Sequence, residues 1–146
     1  MILPTEEATR AAGASLAAVL RPGDVILVEG PLGAGKTMLA RGLIAALGHE
    51  EEVPSPSFAI VQPYDALALP VWHVDLFRIE NPSELAELGL ETIRADGVLL
   101  VEWPSRAGEG MWDDRALRLS LEPLPDGARR LTVLAGEGWE GRWPPQ

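Results

Sequence analysis

Cysteine is absent from this sequence of 146 residues. Its absence excludes disulfide bonds, thiol catalysis and thiolate-bound metals, and it favours a cytoplasmic location. No apolar run reaches the roughly 18 residues that a membrane-spanning helix needs. The N-terminus also lacks the basic segment and apolar core of a signal peptide. We therefore expect a protein without membrane association.

Basic residues are also scarce, with 12 lysines and arginines against 22 aspartates and glutamates, for a net charge of −10. Proteins that bind nucleic acid by bulk electrostatics present basic surfaces to the phosphates. We therefore expect no DNA binding, and we expect any contact with RNA to run through a partner. The length suits one domain over residues 1–146, with a single core.

The only lysine, Lys36, lies in the segment Gly30–Thr37, which reads GPLGAGKT. This segment fits G-x-x-x-x-G-K-[ST], the phosphate-binding loop. Gly33 and Gly35 let the backbone bend so that successive N–H groups point into one hollow. Lysine reaches the outer phosphates as a compact charge, and the Thr37 hydroxyl is a ligand for phosphate-bound magnesium.

The surrounding sequence supplies the elements that such a loop needs. A β-branched strand, Val25–Glu29, precedes the loop, and a helix is predicted from Lys36 to Leu47. An earlier helix is expected from its cap at Thr5 to about Leu20. Further strands are predicted over residues 58–64, 71–77 and 98–101, a short helix over 81–88, and a C-terminal hairpin of residues 116–122 and 129–134. The tail from Gly136 is expected to be irregular or packed over the sheet.

Two carboxylates follow predicted strands, where they would share a sheet edge with the loop. Glu102 comes directly after the apolar run Val98–Val101, the position of a Walker-B acid, and Asp75 lies near the end of the preceding strand. His73 alternates with Asp75 on one strand face, which permits cooperation or a purely structural role. Ser57, in a loop stiffened by prolines, is either a switch-like hydroxyl near the γ-phosphate or an ordinary turn serine.

Taken together, these segments resemble the TsaE (YjeE) family, the small bacterial ATPases of threonylcarbamoyladenosine tRNA modification. The segments that carry the resemblance are GPLGAGKT at 30–37, SPSF at 55–58, HVDLFR at 73–78, ELAELG at 84–89 and EWP at 102–104. The resemblance implies an α/β P-loop NTPase fold with a mixed, mostly parallel sheet flanked by helices. It also implies ATP hydrolysis with Mg²⁺ and association with TsaB and TsaD, with tRNA reached only through that complex.

The resemblance also implies residue roles. Lys36 and Thr37 would hold phosphate and metal, Glu102 would be the metal-linked acid, and Asp75 and Ser57 would serve activity. The predicted catalytic set is Lys36, Ser57, Asp75 and Glu102, and the metal ligands are Thr37 and Glu102. The predicted nucleotide-binding set is Thr5, Glu6, Gly33, Ala34, Gly35, Lys36, Thr37 and Met38.

Three departures from the family pattern are visible. Pro31 stands where aspartate is usual, and Ser57 stands where threonine is usual but keeps the hydroxyl. Phe77 stands where tyrosine is usual, so any role of that phenol is missing. Two other functions stay open at this stage. A small-molecule kinase on the same fold would need an acceptor pocket, and a nucleotide sensor would bind ATP or ADP without useful hydrolysis.

Overall fold

The computed structural model describes residues 1–31, 33–49, 61–64, 66–77, 79, 97–107, 112, 115–136, 138–139 and 141–143. Ser57, residues 58–60 of the second predicted strand and the helix predicted over 81–88 lie outside the described residues. The elements in chain order are β1 (Ile2–Leu3), α1 (Glu6–Ala17), β2 (Val25–Glu29), α2 (Lys36–Ala46), β3 (Val61–Tyr64), β4 (Val71–Asp75), β5 (Val98–Glu102), a 3₁₀ turn (Pro104–Ala107), β6 (Leu117–Pro123) and β7 (Arg129–Leu134).

The strands form one sheet in the order β1-β7-β6-β2-β5-β4-β3. The four central strands β6, β2, β5 and β4 are parallel, and β1, β7 and β3 join the two edges in antiparallel pairs. The mixed sheet is thus confirmed, with its parallel part in the middle. Because β2 and β5 are neighbours, the loop after β2 and the acid at the end of β5 come to the same edge.

Helices α1 and α2 pack against each other and against one face of the sheet. Their closest approach is made by two glycines. A Cβ atom on Gly13 would meet the carbonyl oxygen of Leu39, and one on Gly42 would meet that of Arg10. The absence of side chains at these positions therefore allows the two helix backbones to pack in direct contact.

The first helix begins as predicted and ends early. The Thr5 hydroxyl caps α1 by accepting a hydrogen bond from the Ala8 N–H at 3.0 Å. The helix ends at Ala17, three residues before the predicted Leu20, because the last turn tightens to i→i−3 hydrogen bonds ahead of the turn at residues 21–24. Neither helix in the described part of the chain is long and apolar enough to cross a membrane.

The C-terminal half is close to prediction, with one additional strand paired to it. The hairpin is confirmed as β6 and β7, and the strand β1 that pairs with β7 was not foreseen. The described residues of the tail form no strand, yet they include Trp139 and Trp143, which join the core on the helix side of the sheet. The Trp143 Nε1–H donates to the Ser15 hydroxyl at 3.0 Å. The tail is thus both irregular and packed.

Candidate functional site

The Gly30–Thr37 loop lies between β2 and α2, as the sequence pattern predicts. Gly33 has φ of 79° and Gly35 has φ of 100°, values in the left-handed region that favours glycine. Gly35 is the N-cap of α2, and no side chain caps the helix there. The N–H groups of the first turn are therefore available to an anion, which the positive end of the helix dipole also favours.

Lys36 folds back over its own loop. Its Nζ donates to Gly30 O at 2.6 Å and to Pro31 O at 2.9 Å, and it lies 4.4 Å from the centre of the Trp103 ring. Burial lowers the pKa of Lys36, while the nearby carboxylates of Glu102 and other acids act in the opposite direction. The ammonium group is thus held at the loop by carbonyl dipoles and an aromatic face.

The two predicted carboxylates lie side by side at the ends of β4 and β5, where Asp75 pairs in register with Glu102. The Thr37 hydroxyl is 3.4 and 3.5 Å from the two carboxylate oxygens of Glu102. Asp75 Oδ1 accepts the Phe77 N–H at 2.9 Å. Burial is the main reason that the pKa of Asp75 is raised above the ordinary value, and Glu102 adds to the effect.

His73 takes a partner other than the one considered from the sequence. Its Nε2 lies 2.6 Å from Glu102 Oε2 across the β4–β5 pair, and its side chain is completely buried. It shares a strand face with Asp75, but its hydrogen bond goes to the longer glutamate. Within the described residues the Nδ1 atom has no partner. The histidine therefore restricts the orientation of the Glu102 carboxylate.

One cavity of about 360 Å³ joins the loop to these carboxylates. Of the residues predicted as site members, its lining includes Glu6, Gly33, Ala34, Gly35, Lys36, Thr37, Met38, Asp75 and Glu102. Thr5 does not line it and caps α1 instead, whereas Ser57 lies outside the described residues. A larger cavity of about 430 Å³, beside Ser105 and Arg118, contains none of the loop residues. We place the site in the smaller one because the anion-binding and acidic groups meet there.

Arg129 was missed by sequence reasoning. From the start of β7 its Nε donates to Ala34 O at 3.0 Å, and its Nη2 donates to Gly33 O at 3.2 Å. No local motif marks this arginine, which is 95 residues away from Ala34 in sequence. It reaches the loop only because β7 pairs with β6 and β6 pairs with β2.

The family is decided by comparison of the whole chain with known proteins. A family model described as "Threonylcarbamoyl adenosine biosynthesis protein TsaE" matches residues 3–131. The chain belongs to the TsaE family. The match runs from β1 into β7, and so it includes the loop, both carboxylates and Arg129.

Individual TsaE proteins support this assignment. The protein named tRNA threonylcarbamoyladenosine biosynthesis protein TsaE from Bacillus subtilis is 39% identical over 130 residues, covering 88% of this chain and 80% of the relative. Its namesake from Streptomyces coelicolor is 38% identical over 138 residues, covering 89% of this chain and 93% of the relative. The crystal structure of YdiB from Bacillus subtilis superposes with a TM-score of 0.80 at 32% identity, covering 96% of this chain and 87% of that one. The P-loop α/β fold is thereby confirmed.

Proposed function

We propose that this protein binds ATP at the Gly30–Thr37 loop and hydrolyses it in support of threonylcarbamoyladenosine formation in tRNA. One observation carries the proposal: Lys36, Thr37, Asp75 and Glu102 all line the same cavity. A phosphate loop alone supports nucleotide binding, whereas two buried carboxylates beside it support hydrolysis. We place the activity in the cytoplasm, in line with the cysteine-free sequence.

One residue at the start of α2 and one at the end of β5 fit a magnesium ion carried by the nucleotide. Thr37 offers a hydroxyl and Glu102 a carboxylate. The hydroxyl oxygen lies 3.4 and 3.5 Å from the two carboxylate oxygens. Magnesium takes oxygen ligands from one or two carboxylates together with phosphates and water. When bound, the ion neutralises charge that develops on the phosphates. His73 holds Glu102 Oε2 at 2.6 Å and so limits the orientations of that carboxylate.

We assign to Asp75 the role of positioning the attacking water and accepting its proton. Glu102 is already engaged by His73 and Thr37, whereas Asp75 has one oxygen fixed by the Phe77 N–H and lines the cavity. Burial raises the pKa of Asp75, which makes its carboxylate a better proton acceptor than an exposed one. Lys36 leaves its loop carbonyls and reaches the outer phosphates when ATP binds.

The family resemblance supports a proposal about the protein's partners. We propose that the protein associates with TsaB and TsaD and that hydrolysis supports turnover of that complex. The net charge of −10 favours contact with tRNA through the complex rather than direct binding. Hydrolysis by the isolated protein should be slow, since P-loop sites often depend on a partner to complete them.

The proposal is tested by reconstituting tRNA modification from TsaB, TsaD and this protein. Wild-type protein should support many turnovers, and Lys36→Ala should not, because it cannot hold the outer phosphates. Arg130→Ala, an exposed change outside the site, is the matched control and should behave as wild type. ATP hydrolysis by the purified protein at a rate that TsaB and TsaD leave unchanged would refute the coupling.

A second variant separates hydrolysis from nucleotide sensing. Glu102→Gln keeps the shape of the side chain but removes its charge. An ATPase with this change should still bind ATP yet fail to support multiple turnovers. If the variant supported modification as well as wild type, the protein would be a sensor. Transfer of phosphate to a small acceptor would instead indicate a kinase.

A further inference from the structure

The Arg129 guanidinium joins two separate segments of backbone. Its Nε and Nη2 donate to the carbonyls of Ala34 and Gly33 in the phosphate loop, at 3.0 and 3.2 Å. Its Nη1 donates to Gly127 O at 2.7 Å and to Ala128 O at 3.3 Å in the hairpin turn. Two successive carbonyls of the loop are therefore tied to two successive carbonyls of the turn.

These contacts fix the direction of the loop's N–H groups. In a trans peptide the C=O and the N–H point in opposite directions. Holding the carbonyl of Ala34 on the guanidinium therefore directs the Gly35 N–H away from it. Holding the carbonyl of Gly33 does the same for the Ala34 N–H, which donates to Pro31 O at 3.1 Å and so closes the turn of the loop rather than facing an anion. A phosphate loop binds anions only when its remaining N–H groups, here that of Gly35 among them, converge.

We propose that Arg129 is a positioning residue that holds the phosphate loop in its anion-binding conformation. The inference rests on the proposed binding of ATP at this loop. Arg129 is itself well anchored, because its backbone lies between Leu3 of β1 and Pro123 of β6. The support for the loop is thus built into the sheet rather than into another loop.

The chemistry of the contact requires arginine and places its charge in the lining of the same cavity as the loop. The planar fork donates from several nitrogens at fixed angles, which a lysine ammonium does not reproduce. All four acceptors are backbone carbonyls, and within the described part of the chain no carboxylate pairs with Arg129. Its positive charge therefore adds to the field that attracts phosphate.

The test is titration of the nucleotide-free protein with ADP. Arg129→Ala should weaken ADP binding by about tenfold or more, the size expected for losing hydrogen bonds to a charged group. Arg129→Lys should fall between that variant and wild type, because it keeps the charge but not the fork. The neighbouring Arg130→Ala, which loses only an exposed pair with Glu122, should bind ADP as wild type does.

Thermal unfolding of the same variants separates a positioning role from a merely structural one. A structural role would lower the unfolding midpoint of Arg129→Ala and leave the ADP affinity of the folded protein unchanged, which would overturn the inference. If Arg129→Ala does not fold, the Arg129→Lys variant decides the question. An ADP affinity of that variant equal to the wild-type affinity would also overturn the inference. Failure of the wild-type protein to bind ADP would count against the proposed function instead, so the two failures are distinguishable.

Discussion

His73 Nε2 lies 2.6 Å from Glu102 Oε2, and the two side chains are 0% and 4% exposed. A buried carboxylate is costly unless hydrogen bonds compensate for its lost hydration. The histidine supplies that compensation and also fixes the rotation of the carboxylate. Glu102 is thereby presented to the Thr37 hydroxyl in one orientation.

Replacement of His73 should increase the magnesium concentration that ATP hydrolysis requires. We expect His73→Leu to raise the magnesium concentration that half-saturates ATP hydrolysis by about ten- to a hundredfold, the range typical for partners that orient metal-binding side chains. His73→Gln, whose amide N–H can replace the Nε2–H, should recover most of the loss. Magnesium titration of steady-state hydrolysis checks this, and equal values for both variants would contradict it.

Asp75 should make the nucleotide-free protein less stable at neutral pH. Because its pKa is raised on folding, the folded state keeps the proton to higher pH than the unfolded state. The free energy of unfolding therefore falls as pH rises from the ordinary carboxyl range, about 4, through the raised pKa. Asp75→Asn should be more stable than wild type at pH 7, with the difference vanishing near pH 4. Urea unfolding across this range tests it, and a difference independent of pH would refute it.

The Arg142 side chain should be a large contributor to stability. Its Nη2 donates to Asp24 Oδ2 at 2.7 Å and to Val19 O at 2.6 Å, and the guanidinium stacks 4.0 Å from the centre of the Trp139 ring. We expect Arg142→Ala to cost about 2 to 3 kcal/mol, since it leaves a largely buried carboxylate unpaired.

The exposed Arg130–Glu122 pair provides the control for that measurement. Its side chains are 52% and 62% exposed and 3.4 Å apart. Arg130→Ala should cost less than about 0.5 kcal/mol, as is usual for exposed ion pairs. Urea denaturation of both variants checks the contrast, and similar losses would show that burial does not decide the value of the Arg142 contacts.

The contact between α1 and α2 should not tolerate a methyl group. In an isolated helix Gly42→Ala is favourable by about 1 kcal/mol. Here the new Cβ would meet the Arg10 carbonyl, so we expect a net loss of about 2 kcal/mol or more. Ala45→Leu, at an exposed position of α2, should stay within about 0.5 kcal/mol. Thermal or urea unfolding tests both, and a stabilised Gly42→Ala would disprove the close contact.

The phosphate loop, its strand and its helix were predictable because their signals are local. Glycine spacing, a β-branched run and helical composition all lie within residues 25–47. The convergence of Asp75 with Glu102 was also predictable, since carboxyl ends of parallel strands meet at one sheet edge. Their roles stay predictions that the experiments above are designed to test.

Contacts that depend on the order of strands were not predictable. Arg129 reaches Ala34 through two strand pairings, and nothing near it in sequence signals this. His73 forms its hydrogen bond with Glu102 rather than with Asp75, and this depends on side-chain length and on the β4–β5 register. The strand β1 was missed because two residues give no periodicity, and its pairing comes from β7.

Lys36 offers a way to label the loop chemically. It is the only lysine in the sequence, and its side chain is held beneath Trp103 with only 5% of the residue exposed. Amine-directed reagents therefore have a single ε-amino target in this chain, and burial lowers its pKa so that more of it is nucleophilic. The rate of that acylation reports how often the Lys36 amine becomes accessible to solvent. A bound nucleotide should slow it, and mass spectrometry would detect this as protection of one residue.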